Sequence, residues 1–229
     1  MEVYGPHIVL DGLVFYLDVA NKKSYPGNGT IWNDLTSYGK KGLLINGTTY
    51  DSDNGGSILF DGEDDGVNFD NLNLPNSGAR TITTWFKSTG TDPCSIFAYG
   101  DINTPGQSNI LHLNIVGNGS IYWTFNNADF YTNPLLNNSS YYFITCTYNG
   151  GVLDTNNVKI YLNGVELLVT GIGGNIGQYP NTIDTSYSLG YDNDIRYFKG
   201  NISVFSFYNR ALTDSEVVQN YNAMRTRFL

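Results

Sequence analysis

Apolar and polar residues alternate along most of this chain with a period of two. In GLVFYLDV (12–19), Leu13, Phe15, Leu17 and Val19 fall on one side, and Val14, Tyr16 and Asp18 on the other. That is the pattern of a strand with one buried face. Further candidate strands recur after turn-forming clusters at 57–61, 66–69, 80–88, 95–99, 110–116, 120–126, 141–148, 157–162, 186–189 and 201–208. In VKIYLNG, Val158, Ile160 and Leu162 point inward and Lys159 and Tyr161 outward, and Asn163-Gly164 then reverses the chain. An Asn-Gly pair between apolar strands is a strong hairpin signal.

Helical spacing occurs once. Thr213-Asp214-Ser215-Glu216 reads as a capping box, followed by Val217, Val218, Tyr221 and Met224 at helical intervals. The prediction is an all-β fold, a two-sheet antiparallel sandwich with a short C-terminal helix. It forms one domain over 12–229, preceded by an N-terminal arm at 1–11.

Composition supports this reading and narrows the function. Glycine (26), tyrosine (18) and phenylalanine (12) are abundant, while charged residues make up only 14%. A net charge of −9 with scattered basic residues argues against nucleic acid or an anionic membrane as partner. Met1 is followed by Glu2, Pro6 and His7 rather than by a basic and then apolar leader, so no signal peptide is expected. Cys94 and Cys146, both in strands, read as free buried thiols.

GLVFYLDVANKKSYPGNGTIWNDLTSYGKKGLLINGT comes first, followed by SILFDGEDDGVNF, RTITTWFKS, YYFITCTYNG, VKIYLNGVEL and FKGNISVFSFYNRALTDSEV. In that order, these blocks resemble laminin-G-like domains of the concanavalin A-like lectin/glucanase superfamily, as found in structural proteins of tailed phages. The resemblance implies a jelly-roll sandwich. It also implies a non-enzymatic display role on a phage particle: capsid decoration, head fibre or tail component. The setting would be the virion, assembled in the host cytoplasm. Partners would be other virion proteins and further copies of the chain, docked through the arm 1–9 or a sheet face.

The candidate chemistry points away from catalysis. Glucan-cutting relatives carry an acid-x-acid pair on one strand, and Glu2, Glu63, Glu166 and Glu216 are not so placed. Glu63, Asp64 and Asp65 read as the soluble tip of a hairpin. Two histidines, His7 and His112, and no Gly-x-Ser-x-Gly elbow leave no triad. No enzyme is expected; a glycanase is the weakest of the readings.

Two binding surfaces remain. Outward Tyr122, Tyr161 and His112, with Asn114, Thr124 and Asn126, would form an aromatic, amide-lined face for host or environmental polysaccharide. Tyrosine on a sheet face equally suits packing or a protein interface. No cofactor is demanded, and calcium is the ion such an acidic chain would take. The loops YGDINTPGQSN and LGYDNDIRYFKG resemble the calcium loops of pentraxins; that likeness would make Asp101, Asn103, Asp192 and Asp194 the ligands. Taken alone, these residues are also ordinary solvated turn residues. The alternative function is therefore a calcium-dependent, lectin-like carbohydrate-binding module.

Overall fold

The computed structural model describes residues 7–73, 77–90, 93–100, 111–115, 120–125, 128–132, 136–137, 140–183, 185, 187–192 and 196–229. Its strands are β1 Leu13–Asp18, β2 Ile31–Asn33, β3 Lys41–Ile45, β4 Thr49–Asp51, β5 Ser57–Asp61, β6 Gly66–Phe69, β7 Arg80–Ser88, β8 Cys94–Tyr99, β9 Leu111–Ile115, β10 Ile121–Phe125, β11 Ala128–Tyr131, β12 Tyr142–Tyr148, β13 Val158–Leu162, β14 Val165–Glu166, β15 Thr170–Ile172, β16 Tyr187–Leu189 and β17 Lys199–Tyr208. One α-helix, α1 Asp214–Met224, follows, with a short 3-10 turn at Arg225–Arg227. Among the described residues no helix is long and apolar enough to cross a membrane.

The expected two-sheet sandwich is what forms. The first sheet runs β14-β13-β12-β7-β17-β5-β4, and β1 also pairs with β17. The second runs β15-β11-β10-β9-β8-β16-β6-β3-β2. β17 organises the first sheet: Lys199–Ile202 pairs with β5, Val204–Tyr208 pairs with β1, and β7 lies along the other edge.

Apolar side chains alternate into the space between the sheets. Phe97 of the second sheet meets Phe205 of the first with ring centroids 4.8 Å apart, and Phe15 meets Phe69 at 4.9 Å. Cys94 and Cys146 are buried and form no disulfide, and burial pushes the Cys146 thiol up, so it stays protonated and packs as an apolar group. The outer face of the first sheet is covered as well. Trp85, Phe143 and Val204 bury against Tyr221 and Phe228, and Tyr161, Tyr208 and Val9 against Leu212 and Val217. Residues 7–9 are held on this layer: the Val9 N–H donates to Asn220 Oδ1 at 2.7 Å, Tyr208 Oη donates to the Val9 carbonyl at 3.0 Å, and Gln219 Nε2 donates to the His7 carbonyl at 2.7 Å.

The capping box at the start of α1 is complete. Thr213 accepts from the Glu216 N–H, and the Thr213 N–H donates to Glu216 Oε2 at 2.9 Å. Arg210 grips the same carboxylate with two bonds, at 2.8 and 2.7 Å. Chiefly through those Arg210 bonds, Glu216 is pulled from 4.5 down to about 2. A depressed carboxylate stabilises the fold above its unfolded pKa, and that stability is lost as pH falls through the folded one. Glu216→Gln is therefore expected to lower the Tm at pH 7, with the gap from the wild type closing between about pH 4.5 and 2. Thermal melts of both proteins across that range check it; a gap that persists at pH 2 would contradict the assignment.

Candidate functional site

Among the described residues, α1 and the C-terminal turn cover much of the outer face of the first sheet, and the outer face of the second sheet carries no helix. Strand alternation builds this second face. On β10, Ile121, Trp123 and Phe125 are buried, so Tyr122 and Thr124 turn outward, half-buried. On β11, Ala128 and Phe130 are buried and Asp129 and Tyr131 turn outward. Two residues join β10 to β11, and the register sets Tyr122 against Tyr131 and Thr124 against Asp129. The two tyrosine rings stack with centroids 5.3 Å apart and planes at 16°.

Register extends this face across the sheet. Asn114 of β9 lies opposite Tyr122 and His112 opposite Thr124; Ser95 and Ala98 of β8 follow in turn. Beyond them come Ser188 of β16, Asn68 of β6, Leu43 of β3 and Ile31 of β2. Tyr191 donates its hydroxyl to Asn68 Oδ1, and its ring stacks on Tyr197 at 5.9 Å. Leu43 and Ile31 are exposed at the edge. The face thus carries a half-buried aromatic pair with Thr124 and Asp129 toward one end and an exposed apolar edge at the other, while Ser95, Ala98 and Ser188 between them are buried.

Four of the six expected glycan residues, Tyr122, Thr124, His112 and Asn114, share this face by register. Asn126 lies outside the described residues. Tyr161 is elsewhere: it belongs to the first sheet, only 2% exposed beneath the start of α1. Its hydroxyl donates to Asp214 Oδ1 at 2.7 Å, and burial followed by the Asp214 bond pushes its pKa up. Tyr161 lines a separate groove of about 550 Å³ with Thr147, Asn149, Asn157, Lys159 and Thr213. Tyr131 was not among the expected residues. Its signal was ADFY, a short alternating run whose Asp129 and Tyr131 share a side.

Of the expected calcium ligands, Asp101, Asn103 and Asp194 lie outside the described residues. Asp192 is described and buried, with Arg196 Nε 3.1 Å from its Oδ2. Burial raises its pKa, and the Arg196 charge and hydrogen bond act against that. A guanidinium already faces this carboxylate. The acids at 63–65 do not form a hairpin tip as expected: β5 belongs to the first sheet and β6 to the second, so the segment is a corner between sheets.

A family model described as the concanavalin A-like lectin/glucanases superfamily matches residues 61–218. Nothing among the curated protein sequences matches. Among solved structures, the binding domain of Paraclostridial Mosquitocidal Protein 1 superposes with TM-score 0.67 and 17% identity, over 93% of this chain and 52% of that one. The receptor binding domain of botulinum neurotoxin C/D mosaic serotype gives 0.65 and 15%, over 92% and 51%. Domain 4 of an extracellular arabinanase from Geobacillus stearothermophilus, in complex with arabinotriose, gives 0.63 and 18%, over 91% and 98%. The chain therefore spans about half the length of the two toxin domains and nearly all of the arabinanase domain.

Proposed function

Because the chain belongs to the concanavalin A-like lectin/glucanases superfamily, we propose that it is a non-catalytic carbohydrate-binding domain whose recognition surface is the outer face of the second sheet. The observation that carries this reading is the stacked Tyr122–Tyr131 pair beside Thr124 and Asp129. A sugar ring presents apolar C–H patches and a rim of hydroxyls. Aromatic faces take the first, and a nearby hydroxyl and carboxylate take the second. The likeness to an arabinanase domain solved with arabinotriose supports an oligosaccharide as ligand class. The same face serves a free lectin-like module or a display domain on a virion, because adhesion depends on the surface and not on what carries it.

The test is retention of the purified chain on a panel of polysaccharides, arabinan included, by affinity electrophoresis. Tyr122→Ala combined with Tyr131→Ala is expected to weaken retention at least tenfold, which corresponds to about 1.4 kcal/mol spread over two rings. Both rings are partly solvated, so the Tm should move little. If no polysaccharide retards the wild type, or the double variant is retarded equally, the reading fails.

A further inference from the structure

The corner between β5 and β6 reads Asp61-Gly62-Glu63-Asp64-Asp65-Gly66, four carboxylates in five residues. One carboxylate oxygen from each of Asp61, Asp64 and Asp65 lies within 4.8 Å of the other two. Asp61 and Asp64 are exposed, whereas Asp65 is only 3% exposed. Asp65 Oδ2 accepts the Asp61 N–H at 3.0 Å, but Oδ1 is buried with no hydrogen-bond partner. No Lys or Arg forms an ion pair with any of the three among the described residues. Burial, and then the charges of Asp61 and Asp64, push the Asp65 carboxyl up against the opposing Asp61 hydrogen bond.

A second inter-sheet connection borders that oxygen. The connection from β3 to β4 also crosses between the sheets, and it lies alongside. Asn46 Nδ2 donates to the Asp64 carbonyl at 2.8 Å, tying the two corners together. A Cβ on Gly47 would stand 3.5 Å from Asp65 Oδ1, so the glycine backbone borders the oxygen without donating to it. A buried carboxylate oxygen left without a donor carries its full desolvation penalty. Native proteins keep such groups where something else satisfies them, an ion among the possibilities.

We propose that this corner binds a divalent cation, calcium in preference to magnesium, through the carboxylates of Asp61, Asp64 and Asp65. The donors are all hard oxygens, the class both ions require. Ligands at 2.3–2.6 Å from calcium stand at most about 5 Å apart, so three oxygens all within 4.8 Å of one another are close enough to converge on one ion with small side-chain adjustment. Magnesium, at about 2.1 Å and strictly octahedral, tolerates less variation in ligand placement than calcium does, and it gives up its waters reluctantly. The exposed side of Asp61 and Asp64 leaves room for water to complete the shell. The ion would neutralise the cluster and pin two neighbouring inter-sheet corners. It does not depend on the carbohydrate face.

The experiment uses the full chain stripped with chelator, titrated calorimetrically with calcium chloride and separately with magnesium chloride, with melts in parallel. Calcium is expected to bind one ion per chain with Kd on the order of 10⁻⁴ M, and magnesium at least tenfold more weakly. At about 10 mM calcium the Tm should rise by about 5–10 °C. Asp61→Asn combined with Asp64→Asn changes only exposed side chains, so it should fold, and it should weaken binding at least tenfold and abolish the Tm rise. Absence of both heat and Tm rise in the wild type would overturn the proposal. So would undiminished binding by the double variant, which would place the ion elsewhere, for instance at the loop of Asp192.

Discussion

Trp85→Ala is expected to destabilise the protein by about 3–5 kcal/mol, the range for truncating a large aromatic in a packed interior. Trp85 is fully buried, yet not in the space between the sheets. It stands on the outer face of the first sheet and stacks on Phe228 at 4.3 Å and 17°, on Tyr221 at 5.8 Å and 18°, and against Phe143 at 5.2 Å. Removing it empties the seat of the C-terminal segment at both Tyr221 and Phe228. Domains of this size lose about 2–4 °C of Tm per kcal/mol, so the melt should fall by about 10 °C. Trp85→Phe, which keeps a stacking ring, should lose less than half of that. Because Tyr122 and Tyr131 lie on the other sheet, polysaccharide retention per folded molecule should be preserved. A Trp85→Ala protein melting within 2 °C of the wild type would mean that the helical layer adds little to stability.

What lay open in the sequence was local. Asn163-Gly164 was expected to close a hairpin, and both residues take the positive φ that such a turn needs, 51° and 81°. Thr213 and Glu216 announced the helix start, and the reciprocal cap is present. The alternation in β7 separated Ile82 and Phe86 from Trp85, and the structure sends the first two into the inter-sheet core and the third to the outer layer. What stayed hidden depends on partners distant in sequence. Nothing near Tyr161 says that α1 covers it, so an outward position reads as a ligand platform. Tyr131 becomes a platform only through its register with Tyr122. Asp65 reads as a solvated turn acid until the Asn46-Gly47 corner is set beside it. The strands β2, β3 and β4, which bring that corner into place, were not among the expected ones; β2 and β4 are three residues each, too few for a period to show. Arg80 is similar in depending on distant partners: it is buried between the rings of Tyr99 and Tyr148, and burial lowers it to about 10.

Gly200→Ala is the other substitution expected to be severe, again about 3–5 kcal/mol, with two separable causes. Gly200 sits in β17 where that strand pairs with Phe60 of β5 on one side and Ser88 of β7 on the other, in the middle of the first sheet. Its φ of 142° is a conformation that side chains of L residues rarely adopt, a strain of about 1–3 kcal/mol. A Cβ there would also stand 2.1 Å from the Lys87 carbonyl oxygen and 3.0 Å from the Lys87 carbonyl carbon and Ser88 Cα. These are backbone atoms, which cannot rotate away as a side chain can, so the β7–β17 ladder has to open; overpacking of this kind adds about 1–3 kcal/mol. Gly29→Ala isolates the first cause, since Gly29 also has positive φ (85°) but nothing within 4 Å of its Cβ position. Urea unfolding of both variants should therefore show Gly29→Ala mildly destabilised and Gly200→Ala destabilised by at least a further 2 kcal/mol. Equal losses in the two would mean that the strands part at no cost, and that the collision at Lys87 does not set the geometry of the first sheet.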